Sequence, residues 1–242
     1  MKDNNHNQIT LTNVSHTYGE LPVLHNLNLS VATGEFVVLV GPSGCGKTTI
    51  LNILSGHIQP TSGNVERKGI TRTVYQQDGL FPWLTVSENI RMGLKKVADK
   101  AEQEKEITEL ISLIHLEGFE KHYPHQLSGG MRQRAELARV LGGDSDILLM
   151  DEPFSALDYQ TRLRMRRELI RLLEQRPRTI VFVTHDIEEA VQLANRVLVL
   201  SNRPATICHE LKIDTARPRD LTDVASINAA KEILHRLGLQ GS

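Results

Sequence analysis

Phe36-Val37-Val38-Leu39-Val40-Gly41-Pro42-Ser43-Gly44-Cys45-Gly46-Lys47-Thr48-Thr49 joins an apolar run to a glycine-spaced loop and the start of a helix. Gly41 to Thr48 fits the phosphate-loop pattern G-x-x-x-x-G-K-[ST] at every fixed position. The apolar run Phe36 to Val40 reads as a buried strand entering the loop, and Thr49 to Leu54 as the first turns of a helix leaving it. That context gives the pattern its meaning. Gly41, Gly44 and Gly46 let the backbone wrap closely, with Pro42, Ser43 and Cys45 between them. The loop amides and the helix N-terminus then aim partial positive charge at a polyphosphate. Lys47 reaches the outer phosphates, and the Thr48 hydroxyl is placed to hold Mg²⁺. The chain is therefore expected to bind ATP or GTP.

Composition narrows the use of that nucleotide. The chain has 242 residues, with 28 Lys plus Arg against 29 Asp plus Glu, a formal net charge of −1. A balance so near neutral gives no electrostatic case for nucleic acid as a partner. Cys45 and Cys208 form no metal-type spacing and no disulfide framework, a pattern that suits a reducing cytosol. The start, Met1 to Gln8, lacks the apolar stretch of a signal peptide, and no apolar run approaches the length that crosses a bilayer. Service at a membrane would run through a partner.

Along the chain, Ile9 to Val14 and Val23 to Val31 read as strands separated by a turn at Tyr18 to Pro22. Ile70 to Gln76 is a short β-type run. Thr85 to about His125 reads as helical, and Gly129 to Val140 continues so. Ile147 to Met150 and Thr179 to Val183 are buried parallel-strand candidates around a long helix, Leu157 to Gln175. Arg196 to Ser201 and Thr206 to Leu211 read as late strands, and Ala225 to Leu237 as a final helix. Alternating strands and helices predict an α/β core with a mainly parallel sheet and an inserted helical subdomain.

Two acids, Asp151 and Glu152, follow the run Ile147 to Met150, so the strand carries both carboxylates to the end where open α/β sheets bind ligands. Asp151 is expected to hold Mg²⁺ through water, and Glu152 to orient or deprotonate an attacking water. His185, just past Thr179 to Val183, faces the same crevice and suits a bond to the γ-phosphate. The neutral amide of Gln76 suits Mg²⁺ ligation or water positioning. Leu127-Ser128-Gly129-Gly130-Met131 opens a helix with Ser128 as N-cap, a second phosphate-binding device far in sequence from the first. One nucleotide rarely needs two cradles from one chain. Two copies head to tail would use both, which points to a dimer with composite sites. The Arg-rich run Arg162 to Arg171 reads as a solvated face, and Cys45 as loop packing.

These motifs in this order resemble the ATP-binding-cassette ATPases. The resemblance covers Ile9 to Leu211 and rests on the phosphate loop, Gln76, L-S-G-G at Leu127, Asp151–Glu152, S-A-L-D at Ser155 to Asp158, and His185. It implies a phosphate-loop (RecA-like) core over 1–83 and 138–211 with an antiparallel β element, a helical subdomain over 84–137, and a C-terminal extension over 212–242. It also implies roles. Tyr18 would stack on adenine, and Gly41 to Thr49 would hold the phosphates of ATP. Thr48, Gln76 and Asp151 would serve Mg²⁺. Glu152 would be the base and His185 the γ-phosphate sensor. Ser128, Gly129 and Gly130 would act on the partner copy's ATP, and Asp158 would cross the dimer interface. The family's usual L-S-G-G-Q has Met131 in place of Gln, which leaves the glycine amides intact.

A narrower resemblance joins Leu80 to Ile90, Leu127 to Arg134, Glu152 to Asp158 and Ser201 to Ile207 to the nitrate/sulfonate/taurine branch of bacterial importers, which commonly carries that Met, and to importers of pyrimidine-type thiamine precursors. It implies an ATP-hydrolysing motor subunit on the cytoplasmic face of the membrane. Transmembrane permease subunits would be its partners, with a substrate-binding protein beyond them, and Phe81 to Trp83 would suit the docking of a permease helix. A cassette ATPase acting on DNA or ribosomes, a metabolite kinase and an exporter motor are the alternatives.

Overall fold

The computed structural model describes residues 7–76, 79–94 and 99–239. Phe36–Val40, the strand before the phosphate loop, is buried along its whole length, so it must lie inside a sheet covered on both faces. It is β3, and it pairs in parallel with Thr179–Val183 (β7) on one side and Arg196–Leu200 (β8) on the other. Ile147–Asp151 (β6) joins β7, and Thr71–Val74 (β5) joins β6, both in parallel. Ile207–Lys212 (β9) closes the far edge, antiparallel to β8. The central order is β5-β6-β7-β3-β8-β9. A second, antiparallel sheet runs Leu21–Ala32 (β2), Asn7–Tyr18 (β1), Ser62–Arg67 (β4).

Strand alternation divides the core in two. Val37, Leu39, Leu149, Val181 and Val183 project to one face and pack with Ile9, Leu11, Leu27 and the inner side of helix α1, Lys47–Ser55. Phe36, Val38, Val40, Leu148, Met150 and Phe182 project to the other. There they meet side chains of α2 (Val86–Gly93), α3 (Lys100–Leu113), α4 (Gly129–Leu141), α5 (Tyr159–Gln175), α6 (Ile187–Leu193) and α7 (Val224–Arg236). The antiparallel β element and the mainly parallel core are as expected.

The differences are local. The polar strand β4 and the short helix α6 were not foreseen. Pro22 is the second residue of β2 rather than a break in the chain, tolerated because β2 is an edge strand. The helical text from Thr85 resolves into α2 and α3, then turns and a short 3₁₀ segment, Pro124–Gln126. Among the described residues, no helix is long and apolar enough to cross a membrane.

Candidate active site

The phosphate loop joins β3 to α1, and its shape is fixed from below. Cys45 is buried beneath it, and a Cβ on Gly41 would stand 3.0 Å from both the Cys45 Sγ and Leu200 Cβ. Burial pushes the Cys45 thiol above its ordinary pKa, so it packs as a small apolar group, as expected. Gly46 is the N-cap of α1 at φ +121°, and a side chain there would meet Val23 and Leu24 of β2 at 2.9 Å. The antiparallel sheet thus presses against the loop. The Lys47 Nζ donates to the carbonyls of Gly41 (2.8 Å) and Pro42 (2.9 Å), curling back over the loop.

A cleft of about 320 Å³ opens above this loop. Ser43, Gly44, Gly46, Lys47, Thr48 and Thr49 line it together with Tyr18, Gln76, Glu152 and His185. The ends of β1, β6 and β7 and the segment after β5 therefore bring together residues that lie far apart in sequence. Asp151, 4% exposed, sits at the end of β6 behind Thr48, whose hydroxyl hydrogen-bonds to it. Burial pushes its carboxyl above the ordinary value, against the opposing pull of Thr48 and Lys47. Two oxygen donors side by side, with the Gln76 amide lining the same cleft, are a hard donor set that fits Mg²⁺.

Glu152 has φ +47°, the left-handed region, which costs a non-glycine residue roughly 1–2 kcal/mol. Its backbone holds it there: its N–H donates to Val183 O (3.0 Å), and its carbonyl accepts from the Ser155 hydroxyl (2.9 Å) and Gln133 Nε2 (3.2 Å). The bend delivers the carboxylate to within 3.2 Å of His185 Nδ1.

The second phosphate-type device lies elsewhere. The Ser128 hydroxyl caps α4 by accepting from Met131 N (3.3 Å). Ser128 and Gly129 are exposed and do not line the cleft. Gly130 lies against Ala156 O and Leu157, next to Asp158, the N-cap of α5. A hydrogen bond to Thr161 holds the Asp158 carboxyl below its usual range. Ser128 to Gly130 and Asp158 thus cluster with each other and apart from Lys47.

Sequence reading missed several residues that hold these parts. Gln133 of α4 is buried and also accepts from Ala156 N (3.0 Å), clipping the helix to the segment that carries Glu152. Glu136, fully buried one turn on, accepts from Gly79 N (2.9 Å), just beyond Gln76. It pairs with Arg139 (3.6 Å), which lies 5.6 Å over the Phe81 ring. Trp83, 69% exposed, stands beside Phe81, so the aromatic patch is open.

The expectation of a solvated Arg162–Arg171 face needs correction. Arg166 is 1% exposed and bonds Asp186 (2.8 Å) and Gln192 (2.9 Å), and Arg162 bonds the same Asp186 (3.0 Å). The acids sit at the start of α6, immediately after His185, so this face of α5 turns inward to neutralise them. A wider cleft of about 650 Å³ between α5 and Pro218–Leu221 holds none of the expected site residues.

Comparison with known proteins identifies the family. Residues 24–155 match the family model described as ABC transporter. An uncharacterized ABC transporter ATP-binding protein of Methanocaldococcus jannaschii is 46% identical over 223 residues, covering 88% of this chain and 84% of that protein. An aliphatic sulfonates import ATP-binding protein of Rhodococcus jostii is 44% identical over 232 residues, covering 93% and 91%. A solved dimeric, post-hydrolysis ATP-binding cassette bound to ADP and Pi superposes with a TM-score of 0.78 at 34% identity, covering 86% of this chain and 100% of that one. The chain belongs to the ABC transporter family, and it is an ATPase.

Proposed function

We propose that this chain is the ATP-hydrolysing motor of a small-solute importer, working as a pair of copies that sandwich two ATP molecules. Each site would join the Gly41–Thr49 loop of one copy to Ser128, Gly129 and Gly130 of the other, with Asp158 at the interface. The observation that carries this is the separation of the two phosphate devices: the cleft holds one, and the exposed patch beside Asp158 holds the other. The dimeric cassettes that resemble this chain support it.

Within the cleft, Tyr18 would stack on adenine, and the loop amides and Lys47 would hold the phosphate chain. Thr48, Gln76 and Asp151 would hold Mg²⁺, which when bound neutralises charge on the phosphate oxygens. Glu152 would orient and deprotonate water at the γ-phosphate. His185, 3.2 Å from Glu152, would keep that carboxylate aimed and contact the γ-phosphate.

The helices over 84–137 would form the moving lever and 212–242 a C-terminal extension to the core. The open Phe81–Trp83 patch would seat a permease subunit at the cytoplasmic membrane face, and a substrate-binding protein would feed that permease. The import names of relatives 44% and 45% identical favour an organic anion such as a sulfonate as cargo.

Glu152→Gln tests the chemistry. ATP binding should persist, turnover should fall by about 10²–10⁴, and a stable ATP-bound dimer should elute in gel filtration. Undiminished turnover would remove Glu152 as the base, and a monomeric ATP complex would remove the sandwich.

A further inference from the structure

We propose that Arg203 is a further nucleotide-binding residue, a cation fixed at the edge of the phosphate loop that takes the phosphate chain of ATP. This rests on the assignment of the cleft to ATP.

Arg203 lies in the turn between β8 and β9, far in sequence from the phosphate loop, Tyr18 and Glu152. It nevertheless lines the same cleft as Tyr18, Gly44, Lys47 and Glu152. Its Nη2 stands 3.8 Å from where a Cβ on Gly44 would be, and its charge reaches Cys45 in the same loop. The turn that bears it is pinned on both sides. Ser201 N donates to Thr206 O (3.0 Å) and Thr206 N to the Ser201 hydroxyl (3.0 Å). Ala205 is buried, donates to Val23 O (2.8 Å) and accepts from His25 N (3.1 Å). The turn is thereby laced to β2, which pairs with the strand that ends in Tyr18.

The side chain itself is uncommitted. Arg203 is exposed and has no hydrogen bond or ion pair among the described residues. The contrast with later arginines is sharp. Arg217 donates to Leu193 O and Asn195, and Arg219 donates to carbonyls of Val191, Ala194 and Ile213, so both are spent on the fold. Lys47 is bonded to loop carbonyls, and Glu152 is the acid lining the cleft. A guanidinium held beside amides that cradle phosphate offers paired donors in a plane, which suit phosphate oxygens better than a point charge does. The aromatic side of the cleft, at Tyr18, is left for the base.

The test uses the full chain with Arg203→Met and Arg203→Lys, and Lys47→Ala as reference. MgATP and ADP affinities are measured by titration, KM and kcat by phosphate release, and melting without nucleotide. Arg203→Met should weaken ATP and ADP about tenfold, the loss of one charge-assisted hydrogen bond at its low end. KM should rise accordingly while kcat holds, Arg203→Lys should fall between, and the melting temperature should not move. Unchanged affinities in Arg203→Met, while Lys47→Ala loses binding, would overturn the role of Arg203 alone. A fall in kcat without a change in KM would also overturn it. Failure of the wild-type chain to bind MgATP would instead overturn the assignment of the cleft.

Discussion

The N-termini of α1 and α4, the two proposed to meet phosphate, differ in everything around them. The loop before α1 is walled by β2, floored by Cys45 and overhung by Glu152 and His185. Ser128 and Gly129 at the start of α4 lie open, with Asp158 near. An enclosed cradle can hold a nucleotide with its own chain, whereas an open one supplies amides without a pocket. The difference suits a division of labour in which one device binds and the other licenses hydrolysis when a second copy arrives.

Breaking the enclosed cradle should have the largest effect. Gly46→Val would force a side chain onto φ +121° against Val23 and Leu24. The strain, on the order of 1–3 kcal/mol, should lower the melting temperature, and ATP affinity should fall by more than about a hundredfold. Retained affinity, measured by titration, would show that the loop's shape is not what binds.

Breaking the open cradle should leave single-copy binding intact. Gly130→Val places its side chain against Ala156 O and Leu157, each 3.2 Å from the new Cβ. Turnover should drop about a hundredfold, while ATP affinity at dilute protein should match wild type. Equal losses of both would collapse the distinction between the two devices.

Asp151→Asn should act more mildly than either glycine change. Burial raises the folded-state pKa of Asp151, so its ionised form costs the folded state free energy wherever pH exceeds that raised value. The cost fades as pH falls through it and is gone below the ordinary carboxylate pKa. Asp151→Asn should therefore melt higher than wild type at neutral pH, by about 2–4 °C per kcal/mol recovered. The gap should narrow in acid, and a gap that widened in acid would contradict the buried charge.

How much the sequence could tell followed from where each partner sits in the chain. The phosphate loop, β6 and β7 were readable because their signals are contiguous: a spaced glycine run, or apolar residues ending in acids. β4 was missed because Ser62 to Arg67 is polar and largely exposed, a strand held by pairing with β1 rather than by burial. Arg166 was misread because its counter-charges lie twenty and more residues on, in a short helix with little pattern of its own. Gln133 and Glu136 face backbone groups of loops, and no residue type at the far end announces such contacts. Ser128 to Gly130 and Asp158 were foreseen as motifs, but their adjacency through Gly130 and Ala156 emerged only in three dimensions.

Glu152 occupies a backbone conformation that glycine would adopt at no cost. Selection for stability alone would therefore push position 152 toward glycine, and selection for turnover would push it back. A lineage released from the need to hydrolyse ATP has an easy first step open to it at this residue. The carboxylate on this strained bend fits the role proposed for Glu152, which glycine could not fill.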